Sequence, residues 1–303
     1  MASTASAISS TNSAILQCGR FRLTLARPLV MGILNVTSDS FSDGGRFVNY
    51  STASAHAQKM IDEGADIIDI GGESTRPGAS SVPLNKELTR VLFLIEKLLN
   101  IGVPISIDTY KPNMMRAALN VGVDLINDIW GFRQPGAIDA VRDTFCGLCV
   151  MHMQGTPSTM QYEPQYRNVV TNIYNFLDER IRLLEQAGIA KNRLCADPGF
   201  GFGKTTENNF MLLRELSRAV PASVPTLVGL SRKLMIGEAT GRSVPQQRIA
   251  GSLAGMLAAI DRGAAIVRVH DVAPTVDALK VWQAIRGRSW CCAQSTHEAH
   301  YEK

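Results

Sequence analysis

The chain has 303 residues, of which 45% are hydrophobic and 19% charged, and its formal net charge is +4. This composition is typical of a globular protein with a sizeable core. No basic block or basic-aromatic stripe concentrates the positive charge, so nucleic-acid binding is not expected and a small anionic molecule is a sufficient partner.

The N-terminal segment carries no targeting signal. Residues 1–15 are small and polar, with no early positive charge and no apolar run. A signal peptide is therefore not expected, and we interpret this segment as a disordered tail of a cytoplasmic protein. No stretch approaches the roughly 20 apolar residues of a membrane span, so no membrane association is expected.

The first predicted elements are a hairpin and a buried strand. The hairpin is QCGRFRLTLARP at 17–28, and the strand is LVMGILN at 29–35. A pattern then recurs, in which a helical stretch is followed by a glycine and a short apolar run that ends in polar residues. Four copies are EGADIIDIGGES, IGVPISIDTYKP, VGVDLINDIWG and RGAAIVRVHD. The glycine suits the end of a helix, and the run suits a buried parallel strand.

Completing this pattern predicts eight strand–helix units. The remaining strands are predicted near 148–152, 193–197 and 226–230. The helices are predicted near 52–63, 85–100, 112–120, 137–144, 170–187, 207–219, 248–262 and 274–286. Strict alternation without a break favours a closed (β/α)8 TIM barrel, an α/β fold, over an open sheet. We predict a 1–15 tail, one 16–286 barrel domain with the hairpin at its bottom, and a 287–303 C-terminal tail.

Polar residues end every predicted strand, and the active site of such a barrel lies at these ends. The residues are Asn35, Asp69, Gly71, Asp108, Asn127, Asp128, His152, Asp197, Ser231, Arg232, Lys233, Arg268 and His270. Helix capping explains some of them, since Ser, Asp and Asn often begin helices. It does not explain Lys233, Arg268 and His270, which are poor caps.

The stretch ADPGFGFGKTTENN at 196–209 looks like a nucleotide-binding loop but has the wrong spacing. A P-loop requires a glycine where this chain has Pro198. The three glycines instead allow the backbone to turn close to a ligand. Phe202 is then expected to form an apolar wall, and Lys204 to be a charge at the rim.

The six cysteines are scattered, and Cys146 and Cys149 form the only C-x-x-C pair. A single pair favours buried, reduced thiols over a zinc or redox site.

Eight motifs in chain order, one per strand end, resemble the dihydropteroate synthase family of folate biosynthesis. They are MGILNVTSDSFSDGG, GGESTRPGA, SIDTYKP, LINDIWG, MHMQGTP, DPGFGFGK, GLSRK and RVHDV. The resemblance covers residues from about 29 to 285. It implies a transferase that joins 6-hydroxymethyl-7,8-dihydropterin diphosphate to 4-aminobenzoate, giving 7,8-dihydropteroate and pyrophosphate.

The resemblance implies a role for each site residue. Pterin binding is implied for Asp108, Asn127, Met151, Asp197, Lys233 and Arg268. Diphosphate binding is implied for Asn35, Thr75, Arg76, Arg268 and His270, and aminobenzoate binding for Phe41, Thr75, Pro77, Phe202, Ser231, Arg232 and Lys233. Catalytic roles are implied for Asp108, Asp197, Lys233, Arg268 and His270. A Mg²⁺ cofactor on Asn35, a homodimer and inhibition by sulfonamides are also implied.

The residue types suit this chemistry. Carboxylates and an amide can accept from and donate to the mixed edge of a pterin, and cationic groups can bind a departing diphosphate. No nucleophile or catalytic dyad is evident, which fits loss of pyrophosphate before the arylamine attacks. The loops at 36–51 and 71–84 exceed the usual length, which favours lids over simple linkers.

Two other functions stay open at this point. One is a methyltetrahydrofolate-type pterin-binding methyltransferase, and the other is a pterin-binding module without catalysis. The first needs no diphosphate site, so the pairs Thr75–Arg76 and Arg268–His270 argue against it. The presence of all the expected site residues argues against the second.

Overall fold

The fold is a closed barrel of eight parallel strands, as the sequence predicts. The structure is a computed structural model that describes residues 14–36, 46–73, 83–156, 159, 160, 162, 164–290 and 295–297, with backbone only for 46–49 and 295–297. The barrel strands, in chain order, are β3 Leu29–Asn35, β4 Ile67–Gly71, β5 Ile105–Asp108, β6 Leu125–Asp128, β7 Gly147–Met151, β8 Leu194–Asp197, β9 Thr226–Val228 and β10 Ala264–Val269. β10 pairs with β3 and closes the barrel.

Helices follow the strands and surround the barrel. They are α1 Arg46–Asp62, α2 Leu84–Leu98, α3 Pro112–Val121, α4 Ala137–Val141, α5 Val169–Gln186, α6 Thr206–Arg214, α7 Leu216–Ala219, α8 Leu234–Thr240, α9 Ile249–Ile260 and α10 Val272–Ile285. The predicted junction glycines end helices as expected. Gly122, for example, has φ 117° and its N–H donates to the carbonyls of Ala118 and Leu119 at the end of α3.

The predicted hairpin closes the bottom of the barrel. Its strands are β1 Ile15–Cys18 and β2 Phe21–Thr24, which pair antiparallel. Their apolar side chains pack against the residues that line the N-terminal half of the barrel. This cluster contains Leu16, Cys18, Phe21, Leu23, Leu29, Met31, Ile67, Leu125, Cys149, Cys195, Leu227 and Ile266. The bottom is therefore a packed core, which leaves the opposite end for a site.

The structure differs from the predicted elements in four places. Helix α1 begins at Arg46 rather than near residue 52, and the predicted helix at 207–219 is divided at Glu215, whose ψ is 25°. Helix α8 was not predicted, because its seven residues show too little periodicity. A third strand, β11 Ser295–His297, pairs antiparallel with β2, within a segment for which we predicted only a tail. The tail predicted for residues 1–15 lies outside the described residues up to residue 13, and its last residue was assigned wrongly, because Ile15 begins β1 and pairs with Thr24.

The four cysteines in the described part of the chain are buried and free, as predicted: Cys18, Cys146, Cys149 and Cys195. Among the described residues no group of three or more His, Cys, Asp or Glu side chains is arranged to hold a metal ion. None of the described helices is both long and apolar enough to cross a membrane.

Candidate active site

The site is built on a row of neighbouring strand ends. In the sheet, Asn35 is paired with Gly71, Gly71 with Asp108, and Asp108 with Asn127. Farther around the barrel, Met151 at the end of β7 is paired with Asp197 at the end of β8. The parallel sheet therefore brings side chains from distant parts of the sequence to one end of the barrel.

Arg268 crosses the mouth of the barrel and connects two carboxylates. Its Nε lies 2.6 Å from Asp69 Oδ2, and its Nη2 lies 3.0 Å from Asp108 Oδ2. Asp69 also accepts a hydrogen bond from Ser106 Oγ at 2.5 Å. The two acids hold Arg268 in place and raise its pKa, although burial acts in the opposite direction. Among the described residues, no group accepts from Nη1 of Arg268.

Two buried oxygens on adjacent strands have no hydrogen-bond partner within the described part of the chain. They are Oδ1 of Asp108 and Oδ1 of Asn127. Burial raises the pKa of Asp108 to about 7, against the effect of Arg268, and the charges of Asp69, Asp128 and Glu87 raise it further. Leaving a buried acceptor unpaired costs about 1–3 kcal/mol. These two oxygens can therefore accept hydrogen bonds from N–H groups of a ligand.

Asp197 is oriented by the glycine turn that follows it. Its Oδ1 accepts a hydrogen bond from the Gly199 N–H at 2.7 Å. Burial raises the pKa of Asp197, while hydrogen bonding to Gly199 and the charges of Lys233, Lys204 and Arg268 lower it. The turn needs glycine, because Gly199 has φ 72° and a Cβ there would lie 1.9 Å from the carbonyl oxygen of His152.

Lys233 lies opposite this turn. Its ammonium lies 4.2 Å from the centroid of the Phe202 ring, a cation–π contact. Burial lowers the pKa of Lys233 to about 8, and Arg268 lowers it too, whereas Asp197 and Asp108 raise it. Lys233 is therefore close to four of the predicted pterin-binding or aminobenzoate-binding groups.

An apolar cluster forms one wall of the mouth. Met151, which is 4% exposed, packs with Ile129, Met153 and Met160, and Phe202 packs against this cluster. Tyr110 and Trp130 also border it, and their rings stack at 5.2 Å between centroids. Such a surface is suitable for the face of a flat ring.

Ser231 and His270 form a hydrogen-bonded pair. His270 Nδ1 lies 3.0 Å from Ser231 Oγ, and the His270 N–H donates to the same oxygen. Burial lowers the pKa of His270 to about 4, and the neighbouring Arg232, Arg268 and Lys233 add to this effect. The resemblance implies diphosphate binding by both Arg268 and His270. Because its pKa is lowered to about 4, His270 is neutral near pH 7 and offers one donor and one acceptor nitrogen rather than a positive charge.

Arg232 is paired with an acid that the sequence did not reveal. Its Nε and Nη2 donate to the two oxygens of Asp271 at 2.9 and 2.6 Å. Its backbone has φ 59°, a left-handed conformation that is uncommon outside glycine. The Arg232 N–H donates to Ser252 Oγ, and the Arg232 carbonyl accepts from Arg248 Nη1. These contacts hold the strained residue, and with it the adjacent Lys233.

Lys204 is not a charge at the rim, which corrects our expectation. It is 2% exposed, and its ammonium contacts two carbonyl oxygens and a ring nitrogen of His152. The glycines at 199, 201 and 203 have positive φ and fold the chain around this ammonium, so the lysine lies inside the turn.

Some predicted residues lie outside the described part of the chain: Phe41, Thr75, Arg76 and Pro77. Asn35 is described and exposed, at the end of β3. Its Oδ1 lies 3.3 Å from the position of a Cβ on Gly71, so the glycine leaves room beside this oxygen. A lone amide oxygen suits Mg²⁺, which usually takes one or two protein ligands and completes its shell with phosphate oxygens and water.

Sequence reasoning missed three residues that hold the site together: Asp69 and Ser106, which position Arg268, and Asp271, which binds Arg232. Asp69 was recognised as a strand end, but nothing in its spacing indicated an ion pair 199 residues away.

The fold and the site define a pterin-binding barrel enzyme. A family model described as pterin binding enzyme matches residues 31–270. Dihydropteroate synthase of Neisseria meningitidis serogroup C is 48% identical over 273 residues, covering 89% of this chain and 96% of the relative.

Solved structures of similar proteins indicate the same family. Burkholderia cenocepacia dihydropteroate synthase complexed with 7,8-dihydropteroate is 57% identical, with a TM-score of 0.84 and coverage of 91% and 97% of the two chains. The Yersinia pestis enzyme in a sulfonamide drug complex is 47% identical, with a TM-score of 0.84 and coverage of 90% and 99%. The chain belongs to the dihydropteroate synthase family, whose members are transferases of folate biosynthesis.

Proposed function

We propose that this protein condenses 6-hydroxymethyl-7,8-dihydropterin diphosphate with 4-aminobenzoate to 7,8-dihydropteroate and pyrophosphate. The observation that carries the proposal is the pair of buried, unpaired oxygens of Asp108 and Asn127 on adjacent strands, with Lys233 close enough to feel the charges of both Asp108 and Asp197. A pterin presents N–H donors beside a ring carbonyl and ring nitrogens, so it satisfies both oxygens and can accept from Lys233.

Asp197 binds the pterin through the lone pairs that Gly199 leaves free, and Asp108 and Asn127 accept from other ring N–H groups. The face of the ring lies against Met151, with the stem of Arg268 on the other side. The apolar cluster around Met151 supports this orientation.

The diphosphate binds beside the pterin pocket. Arg268 offers Nη1, and His270 contributes a neutral donor. Thr75 and Arg76 complete the diphosphate site. Asn35 would hold Mg²⁺, which would supply positive charge that stabilises the pyrophosphate product.

The reaction begins with cleavage of the bond between the pterin methylene carbon and the bridging oxygen of the diphosphate. The bonding electrons leave with pyrophosphate, and the electron-rich ring stabilises the cationic methylene. The carboxylates of Asp197 and Asp108 favour this positive charge electrostatically. The lone pair of the arylamine then forms the carbon–nitrogen bond, and the amine loses a proton to solvent. No strong base is required, because the arylamine is neutral at pH 7.

The aminobenzoate lies beside the apolar wall. Phe202 contacts its ring, and the resemblance assigns Phe41, Thr75 and Pro77 to aminobenzoate binding as well. Ser231, Arg232 and Lys233 lie near its carboxylate. Sulfonamides are expected to compete for this pocket, which the sulfonamide complex of the Yersinia pestis relative supports.

Residues 16–286 form one barrel domain, and the protein acts as a cytoplasmic homodimer. Two apolar residues on α10 support self-association: Val281 is 61% exposed and Ile285 is 80% exposed. Sedimentation velocity of the wild type and of Ile285→Lys tests the dimer, which the lysine should dissociate.

Release of pyrophosphate tests the activity. The diphosphate substrate should release pyrophosphate in the presence of 4-aminobenzoate and give dihydropteroate in equal amount. Binding of the pterin without release would indicate a binding module, and methyl transfer from methyltetrahydrofolate would indicate the methyltransferase. Loss of some pyrophosphate without the arylamine would support the dissociative order, and its complete absence would contradict it.

A further inference from the structure

Lys204 is an interior cation without an acidic partner at contact distance. Its Nζ lies 2.7 Å from the Gly199 oxygen, 3.0 Å from the Phe202 oxygen and 3.0 Å from His152 Nδ1. Among the described residues, no carboxylate lies within salt-bridge distance of this ammonium. A buried ammonium that is not ion-paired is costly, so its presence in this turn requires a reason beyond packing.

The three contacts of Lys204 tie together the two ends of the turn that supports Asp197. Gly199 donates to Asp197 Oδ1, and its carbonyl accepts from Lys204. Phe202, whose carbonyl also accepts from Lys204, contacts the ammonium of Lys233 through its ring. A shift of the Lys204 ammonium would therefore displace the Asp197 carboxylate and the Phe202 ring, both of which face the substrate pocket.

Lys204 also acts on Asp197 through its charge. Three cations face Asp197 and lower its pKa against the effect of burial: Lys233, Lys204 and Arg268. Burial in turn lowers the pKa of Lys204 to about 7, while Asp197 raises it and Lys233 lowers it. Lys204 is therefore protonated below neutral pH, where Asp197 most needs a neighbouring positive charge to remain ionised.

We propose that Lys204 is a positioning residue for this site: its ammonium holds the glycine turn in shape and thereby keeps Asp197 oriented toward the pterin. This inference rests on the proposed function, since Asp197 is taken as the group that binds the pterin edge. A charged Lys204 is a donor only, so His152 Nδ1 accepts its hydrogen bond. The proton of the neutral His152 ring then lies on Nε2.

The first test compares two variants of the turn in the pyrophosphate-release assay. Lys204→Met removes the charge and keeps most of the side-chain volume. The matched control, Tyr166→Phe, removes the hydroxyl that donates to the Gly203 oxygen at 2.7 Å and leaves the charge unchanged.

We expect Lys204→Met to lower kcat/KM for the pterin diphosphate by about tenfold to a hundredfold, the cost of a lost charged hydrogen bond. The pKa of the Asp197 carboxyl in the protein without substrate, followed by carbon-13 NMR, should rise by at least about half a unit, because Asp197 loses a neighbouring cation. Tyr166→Phe should loosen the turn without moving this pKa. An unmoved pKa of Asp197 in a folded Lys204→Met, or equal shifts in both variants, would overturn the inference.

The second test uses the wild-type protein and does not depend on a variant that folds. Two-bond proton–nitrogen correlation NMR at pH 6 identifies which ring nitrogen of His152 carries the proton, with His152→Gln used for assignment. A protonated Nε2 and an unprotonated Nδ1 support the inference, and a protonated Nδ1 contradicts it. If the wild type releases no pyrophosphate, the proposed function fails, whereas the NMR result tests the ammonium contact alone.

Discussion

The two ends of the barrel differ in how fully their charged side chains are paired. At the bottom, Arg20 donates to both oxygens of Asp124, and Asp124 Oδ2 also accepts the Ile105 N–H. Arg27 likewise donates to both oxygens of Asp66. At the mouth, by contrast, Asp108 retains an unpaired buried oxygen and a raised pKa.

This difference separates stability from function. Bottom charges are neutralised by partners within the chain, so they stabilise the fold and offer nothing to a ligand. At the mouth, some charges are paired in the same way, as in Arg232 with Asp271, but Asp108 is held in place and incompletely paired, and a ligand can supply its missing partner. The predictions below test this division and are ordered by their expected effect on turnover.

The largest difference in turnover is expected between two variants, each of which replaces one carboxylate with an amide, at the mouth or at the bottom of the barrel. Asp197→Asn removes a charged acceptor from the pterin edge and should lower kcat/KM by at least about a hundredfold. Asp124→Asn should leave kcat/KM of the folded protein within about twofold but lower stability by about 1–3 kcal/mol, because a paired buried carboxylate is lost. Pyrophosphate release measures kcat/KM, and chemical denaturation measures the stability of each variant. Full activity in Asp197→Asn would refute the division.

The next-largest effect is the expected dependence of kcat/KM on pH. Asp108 offers the pterin a charged and therefore stronger acceptor only when ionised, so kcat/KM should fall as the pH drops through about 7, the pKa to which burial raises this carboxyl. Lys233 donates a charge-assisted hydrogen bond only when protonated, so kcat/KM should also fall as the pH rises through about 8, the pKa to which burial lowers this ammonium. Asp108→Asn should lower activity and weaken the acid limb. A flat profile from pH 6 to pH 9 would contradict both assignments.

A smaller effect is expected at Arg232. Arg232→Gly relieves the left-handed backbone but removes the bidentate contact with Asp271. We expect KM for 4-aminobenzoate to rise about tenfold, the cost of a charged hydrogen bond. KM for the pterin diphosphate should change much less, and equal increases in both would show that Arg232 supports the whole site instead.

The smallest effect on turnover is expected from the hairpin. Leu23 is 1% exposed in the bottom cluster, and Leu23→Ala should cost about 2–4 kcal/mol of stability through the cavity it creates. The kcat of the folded variant should equal that of the wild type at a temperature well below its unfolding transition. A proportional loss of kcat would show that the two ends are coupled.

The fold could be predicted because its signals are local. Most αβ junctions carry a glycine such as Gly122, and each strand is a short apolar run. The short helix α8 was missed because its seven residues include Gly237. Strand β11 was missed because three residues without alternation carry no strand signal, and only their pairing with β2 defines them.

The site could be predicted only in part. Polar strand ends identified Asp108, Asn127 and Asp197, because parallel strands bring their ends together. The environment of Lys204 could not be predicted, since its burial depends on how three glycines fold the backbone around it. The neutral state of His270 follows from burial and three nearby cations, which no spacing reveals. The ligand roles of these residues stay predictions.

The most direct test is a crystal structure of this protein bound to 7,8-dihydropteroate. We predict ring N–H groups within hydrogen-bond distance of Asp108 Oδ1 and Asn127 Oδ1, with Asp197 on the same ring edge and Lys233 donating to the ring. A pterin bound elsewhere, or bound with both oxygens still unpaired, would contradict the account.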